Sequence, residues 1–211
     1  MVLFLTNVCI YGNIYSLKEG IGIMKYLTVG TNEIVKDLFR EVEDTESSSM
    51  KPRGGLWLTK YENEHYNEWV DYLLEDSVAF YYKSKGSSIW EQPCSLVTLR
   101  ENANILELSD GNTLDSLKRK YYLNDDKFSY QELSHYYDGI FVDMYKLLHD
   151  VNDQRLYKFG VNSLILFNLD CIEYYQSGLV LIEPFDFEYN FCEAPIYEIK
   201  CDNVKKRILN K

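Results

Sequence analysis

Apolar positions along the chain switch repeatedly between a spacing of about two and one of about 3.6, the mark of strands mixed with helices. Lys25–Val29 reads as a short strand. Asn32 stands where a helix cap belongs, and over Glu33–Glu43 the residues Ile34, Val35, Leu38, Phe39 and Val42 share one helical face. Thr45-Glu46-Ser47-Ser48-Ser49 is a polar loop, after which Pro52 and Gly54-Gly55 lead into a strand at Leu56–Thr59. Glu62–Asp76 predicts an amphipathic helix with Trp69, Leu73 and Leu74 inward. Strand-like runs follow at Ser77–Tyr82, Ser95–Leu99 and Asn104–Leu108, then a helix from Thr113 to about Tyr122. Ser129-Tyr130-Gln131-Glu132 is a capping box that opens a short helix ending before Asp138-Gly139. A strand at Ile140–Val142, a helix at Met144–His149 and strands at Ser163–Phe167, Leu179–Glu183 and Ile196–Lys200 complete the pattern. Short elements in irregular order predict an α+β fold on a bent or split antiparallel sheet, in preference to a regular βαβ repeat.

Composition narrows the class. With 211 residues, 46% hydrophobic and 26% charged, the chain is long enough for a self-sufficient core, and neither disorder nor coiled coil describes it. Its net charge of −11 argues against a sequence-independent grip on phosphate backbones. The 19 tyrosines, against 10 phenylalanines and 3 tryptophans, supply apolar bodies with polar tips for half-buried pockets and interfaces. Cys9, Cys94, Cys171, Cys192 and Cys201 never form C-x-x-C, and His65, His135 and His149 are isolated. No zinc site or disulfide framework is indicated, which makes a reducing, cytoplasmic setting the expectation. Lys118-Arg119-Lys120 and Lys205-Lys206-Arg207 read as small solvated faces.

Residues 1–23 stand apart. Met1–Leu17 is uncharged, but it lacks a basic leading region and is interrupted by Asn7, Gly12 and Asn13, so neither an export signal nor a membrane span is expected. Lys18-Glu19-Gly20 implies purine-rich codons just ahead of Met24, the geometry of a bacterial ribosome-binding site and thus of a start at Met24. Alternatively, Val2–Ile10 is an edge strand. Residues 24–211 are expected to form a single domain.

Motif searches exclude several chemistries. The chain has no G-x-G-x-x-G, no G-x-x-x-x-G-K-[ST], no G-x-S-x-G and no H-E-x-x-H. What remains is Lys51-Pro52-Arg53-Gly54-Gly55-Leu56-Trp57-Leu58-Thr59. Arg53 offers a planar cation for phosphate, Gly54 and Gly55 allow close backbone approach, Trp57 offers a stacking face, and Thr59 places a hydroxyl on the same strand face. Each feature also has a plain structural use. Gly-Gly-aromatic strands often simply enter a core, Trp57 and Trp69 suit core packing, Asp138 before Gly139 suits a turn, and His149 suits a helix end.

Lys51-Pro52-x-Gly54-Gly55-Leu56-Trp57-x-Thr59, with Trp69, Tyr137-Asp138-Gly139-Ile140 and Val161-Asn162-Ser163-Leu164-Ile165-Leu166-Phe167-Asn168, resembles phage and bacterial proteins that look like distant ADP-ribosyltransferases. The closing strands are also similar to those of RES-type NAD-consuming toxins. The resemblance runs from Met24 to about Glu173 and consists of patterns without a long identical stretch. It implies an ADP-ribosyltransferase-like split antiparallel sheet with peripheral helices and an NAD cleft between two small sheets. It further implies a hydroxyl at Thr59, NAD contacts from Tyr26, Arg53, Gly54, Gly55, Trp57 and Thr59, and a catalytic acid at Asp138 or Asp143, with Glu173 a further candidate. The chain departs from the family where a His or Arg is expected on the first strand, which offers Tyr26, Thr28 and Thr31 instead. It departs again at Asn162, which stands where an acid would be sought.

The function so implied is an NAD-dependent mono-ADP-ribosyltransferase or NAD glycohydrolase of a phage or bacterial conflict system, a toxin or host-takeover factor. NAD would be its substrate and a protein or small molecule its acceptor, with no membrane partner and with a cognate antitoxin or host protein as partner. The competing class is a non-enzymatic acidic protein that binds and inhibits a host protein by imitating the charge of DNA. Convergence of Arg53, Trp57 and Thr59 with a carboxylate favours the enzyme; one elongated acidic face favours the inhibitor.

Overall fold

The structure, a computed structural model, describes residues 24–45, 50–63, 67–74, 92–123, 127–182, 198–200 and 205–209. The described strands are β1 (Lys25–Val29), β2 (Leu56–Lys60), β3 (Pro93–Leu99), β4 (Ile105–Leu108), β5 (Gly139–Val142), β6 (Ser163–Leu166), β7 (Ile172–Ile182), β8 (Glu198–Lys200) and β9 (Lys205–Arg207). They form one sheet in the order β4-β5-β6-β2-β1-β3-β7-β8, with β9 also on β7. Pairing is antiparallel apart from β4 with β5. Helices α1 (Glu68–Leu74), α2 (Gly111–Tyr121), α3 (Tyr130–Ser134) and α4 (Met144–Asp150) complete an α+β architecture.

The sheet turns on β2. Leu56, Trp57 and Leu58 pair with Leu166, Ile165 and Leu164 of β6. With β1, β2 pairs Thr59 opposite Leu27 and Lys60 opposite Tyr26, and the contact continues only away from the gap, Tyr61 N donating to Lys25 O at 2.9 Å. Meanwhile β1 stays with β3 along its whole length, as far as Val29 opposite Cys94. Beyond Leu27 and Thr59, then, β1 and β2 go to different partners and a gap opens between them.

Three apolar clusters hold this arrangement. Leu114, Leu117, Leu133 and Leu147 of α2, α3 and α4 pack on Ile140, Val142 and Ile165, joined by Leu156 and Phe159 of a 3-10 turn at Gln154–Phe159. Val70 and Leu73 of α1 pack on Leu27, Cys94, Leu96 and Leu179. Leu58, Val97, Leu164 and Leu166 meet Ile34, Ile172 and Tyr175 in the third. Each fully buried aliphatic side chain contributes on the order of 1.5–3 kcal/mol. Helix starts follow their caps: Asp110 accepts from Thr113 N at 2.9 Å, Ser129 from Glu132 N at 3.3 Å and Asp143 from Lys146 N at 3.2 Å.

Several expectations change. The helix expected over Glu33–Glu43 is reduced to a 3-10 turn at Lys36–Leu38. Its apolar positions part ways: Ile34 and Val42 enter different clusters and Leu38 is exposed. The backbone of this segment pairs with the glycine loop, Gly55 N donating to Arg40 O at 2.8 Å and Glu43 N to Arg53 O at 2.9 Å. Gly54, at φ +71, lies so close that a Cβ there would be 2.0 Å from Glu41 O, leaving no room for a helix in place of the extended chain. Asn32 caps nothing; its Oδ1 accepts from Gly178 N at 2.8 Å. The strand expected from Leu179 begins at Ile172. Lys205–Arg207, read as a solvated face, is β9, with Arg207 on Glu33 at 2.9 Å. Lys118, read as solvated, lies 3.0 Å from Asp153 with little exposure. The N-terminal extension, the strand at 77–82, Leu74's side chain and the end of the helix at 75–76 lie outside what is described.

Candidate functional site

The gap between β1 and β2 encloses a cavity of about 110 Å³. Leu27, Thr28 and Val29 line one side, Trp57, Leu58 and Thr59 the other, with Trp69 of α1 and Ser163 of β6 at its ends. Sheet topology makes this opening, because it lies where one strand leaves its neighbour for another.

Trp57 is the best-anchored wall. Its Nε1 donates to Gly54 O at 3.0 Å and its ring lies 5.9 Å from Phe159. Lys51 Nζ sits 4.6 Å from the centre of the ring, and burial pushes the Lys51 pKa down. Trp69 stacks on Tyr72 at 5.5 Å. Thr59 is buried and donates to Asn67 Oδ1 at 3.0 Å. That same oxygen accepts from Trp69 N at 3.0 Å and Val70 N at 3.3 Å, while Asn67 Nδ2 donates to Lys60 O at 3.0 Å. Asn67 thereby caps α1 and ties it to β2, so the helix start and the cavity wall are one rigid unit.

Glu68 opens α1 beside this region. It sits between Asn67 and the cavity-lining Trp69, and its carboxylate accepts from Asn162 N at 3.1 Å and Asn162 Nδ2 at 3.2 Å. Asn162 in turn precedes Ser163, and its Oδ1 accepts from Tyr145 N at 3.3 Å. Burial raises the pKa of Glu68, and the charges of Glu62 and Asp143 raise it further, against the lowering effect of the two Asn162 bonds. Asn162 thus ties the start of α1 to the residue that precedes β6.

The other expected residues are dispersed. Tyr26 projects from β1 into the cluster on the opposite sheet face from Leu27, with its hydroxyl on the Met24 sulfur at 3.0 Å. Burial and then Glu107 raise its pKa. Arg53 is exposed, pairs through its backbone with Glu43, and does not line the cavity. Gly54 and Gly55 serve chain packing: a Cβ on Gly55 would fall 2.8 Å from Ile165 Cγ2. Asp138 and Asp143 stand at opposite ends of β5. Asp138 accepts from Asn104 N at 2.8 Å and Asn168 Nδ2 at 2.7 Å, stitching together the ends of β4, β5 and β6 away from the cavity. Asp143 follows Val142, which pairs with the cavity-lining Ser163, but does not itself line the cavity. It caps α4 and holds Lys146 Nζ at 2.7 Å. Glu173 belongs to β7.

Structure therefore brings Trp57 and Thr59 together in the cavity lining and leaves out Tyr26, Arg53, Gly54, Gly55, Asp138 and Asp143. Sequence reasoning missed Glu68 and Lys51. Starting the helix at Glu62 buried Glu68 in mid-helix on a polar face, whereas an Asn cap read at Asn67 would have placed it in the first turn, next to the strand end.

Among the described residues no helix is long and apolar enough to cross a membrane, and no group of three or more His, Cys, Asp or Glu is placed to hold a metal ion. No family model, curated protein or solved structure matches the chain.

Proposed function

We propose that the cleft between β1 and β2 takes the nicotinamide end of NAD, and that the chain is an NAD-dependent mono-ADP-ribosyltransferase or NAD glycohydrolase with Glu68 as its acid. One observation carries the reading: the half-buried Glu68 carboxylate stands one residue from Trp69 and is held by Asn162, one residue from Ser163, and both Trp69 and Ser163 line the narrow gap where two strand sets separate. A split of this kind is what the ADP-ribosyltransferase resemblance implies.

The cavity of about 110 Å³ suits one substituted ring; whole-ligand pockets run to about 300–1,000 Å³. The ribose and pyrophosphate of NAD would lie along the open side. Trp57 offers its face to the ring, and Lys51, in place of Arg53, brings a cation for pyrophosphate to the Trp57 wall. The Thr59 hydroxyl, with its proton given to Asn67, keeps lone pairs to accept from a ribose hydroxyl or the carboxamide. When the ribosyl–nitrogen bond breaks, its electron pair leaves with nicotinamide. Positive charge then grows at the ribosyl carbon, and ionised Glu68 stabilises it until water or an acceptor attacks. Acid protonates Glu68 and stops the step.

Incubation with NAD and measurement of nicotinamide release tests this. Expected is release by the native chain, a loss of roughly 10²–10³-fold in Glu68→Gln, and retention of activity in Asp138→Asn. Absence of release by the native chain, together with no NAD-dependent thermal shift, removes the reading and leaves the acidic interaction protein.

A further inference from the structure

A second concavity lies elsewhere, between residues 36–42, helix α3 and the turn from β6 to β7. Its volume is about 670 Å³, and none of its lining residues lines the cleft. We propose that this groove binds a small organic cation, independently of the NAD reading.

The floor is apolar: Val42, Phe167 and Leu169 are almost fully buried there, and Phe39 adds a second aromatic ring. Such rings attract a cation held against them. The polar wall is built firmly. Asn168 is fixed at both ends, donating to Asp138 at 2.7 Å and accepting from Asp170 N at 2.9 Å. Gln131 is placed by its N–H on Asp44 at 3.0 Å. By contrast the Glu41 carboxylate, the Gln131 carboxamide and the His135 imidazole have no hydrogen-bond or ion-pair partner among the described residues.

Charge selects the sign of the ligand. Lys36 is the single Lys or Arg in the lining, and Asp170 already matches it at 2.7 Å. Glu41 remains as an uncompensated negative charge, on a chain that carries −11 overall and so concentrates cations near its surface. An anion would meet no unmatched lysine or arginine. A cation gains Glu41, two aromatic rings and the carbonyl oxygen of Gln131.

Two-dimensional NMR of the isotope-labelled full chain tests the proposal with ethylguanidinium and butylammonium, against butanol and inorganic phosphate as controls. Saturable shifts of the Gln131, His135 and Asn168 amides are expected with the cations, and the two cation arms show which head group fits better. Glu41→Gln should weaken binding roughly three- to fivefold, as for an exposed ion pair, and Lys36→Met should strengthen it by removing the one Lys or Arg in the lining. Equal shifts with butanol or phosphate, no saturation with either cation, or cation affinity unchanged in Glu41→Gln would overturn the proposal.

Discussion

Two carboxylates, Glu68 at the cleft and Asp153 in the helical layer, show opposite uses of the same group. Asp153 is surrounded by cations: Arg155 reaches it at 2.7 Å and Lys118 at 3.0 Å. Arg155 above all, with help from Lys118, holds its carboxyl well below the usual carboxylate range. Glu68 has two amide donors from Asn162 but no cation among its influences; burial above all raises its pKa, and Glu62 and Asp143 add to that. A scaffold ion pair is compensated, whereas a carboxylate left uncompensated beside a cavity is available for positive charge that appears only when a ligand reacts.

Replacing each acid breaks that comparison most sharply. Glu68→Gln should abolish nearly all nicotinamide release, as above, while leaving the thermal midpoint near that of the native chain. Asp153→Ala should do the reverse. It removes the carboxylate that Lys118 and Arg155 share and should cost roughly 2–3 kcal/mol in urea unfolding, with turnover per folded molecule unchanged. A smaller effect is expected from Asn67→Ala, which removes the α1 cap and the acceptor for Thr59. Its cost should be about 1 kcal/mol, and activity should fall with it because Glu68 and Thr59 lose their common anchor.

The smallest effect is a difference of sign with pH. The Asp153 pKa is depressed, so its contribution to stability is present above its unfolded pKa and lost as pH falls toward the folded one. For Glu68 the folded pKa is raised above the ordinary 4.5, so its penalty is present at neutral pH and relieved as pH falls through the raised value. Acid titrations of stability for Asp153→Asn and Glu68→Gln should therefore depart from the native curve in opposite directions. Departures of the same sign would mean that the two environments are alike.

Much of the fold was legible locally. Strands at Lys25–Val29 and Leu56–Thr59, the capping box at Ser129 and the helix after Asp143 follow from alternation and cap chemistry, and the structure keeps them. The segment 33–43 misled because its apolar residues fit a helical face while serving two separate clusters, and long-range pairing with the Gly54-Gly55 loop decided its backbone. At the site, Trp57 and Thr59 were legible because they share a strand face. Glu68 was not, because its proximity to Asn162 spans 94 residues of sequence and depends on where α1 starts. Arg53 was overvalued for the opposite reason: adjacency to two glycines says nothing about which side of the loop faces the cavity.

The central claim is that the gap opened by the parting of β1 and β2 holds the nicotinamide ring. Titration of the isotope-labelled chain with nicotinamide, followed by two-dimensional NMR, tests it most directly. Saturable shifts are expected at Thr28, Thr59, Ser163 and the Trp57 indole N–H, with Asn104 and Asn168 at the far end of β5 unmoved. Shifts confined to the far end, or none at the four cleft positions, would contradict it.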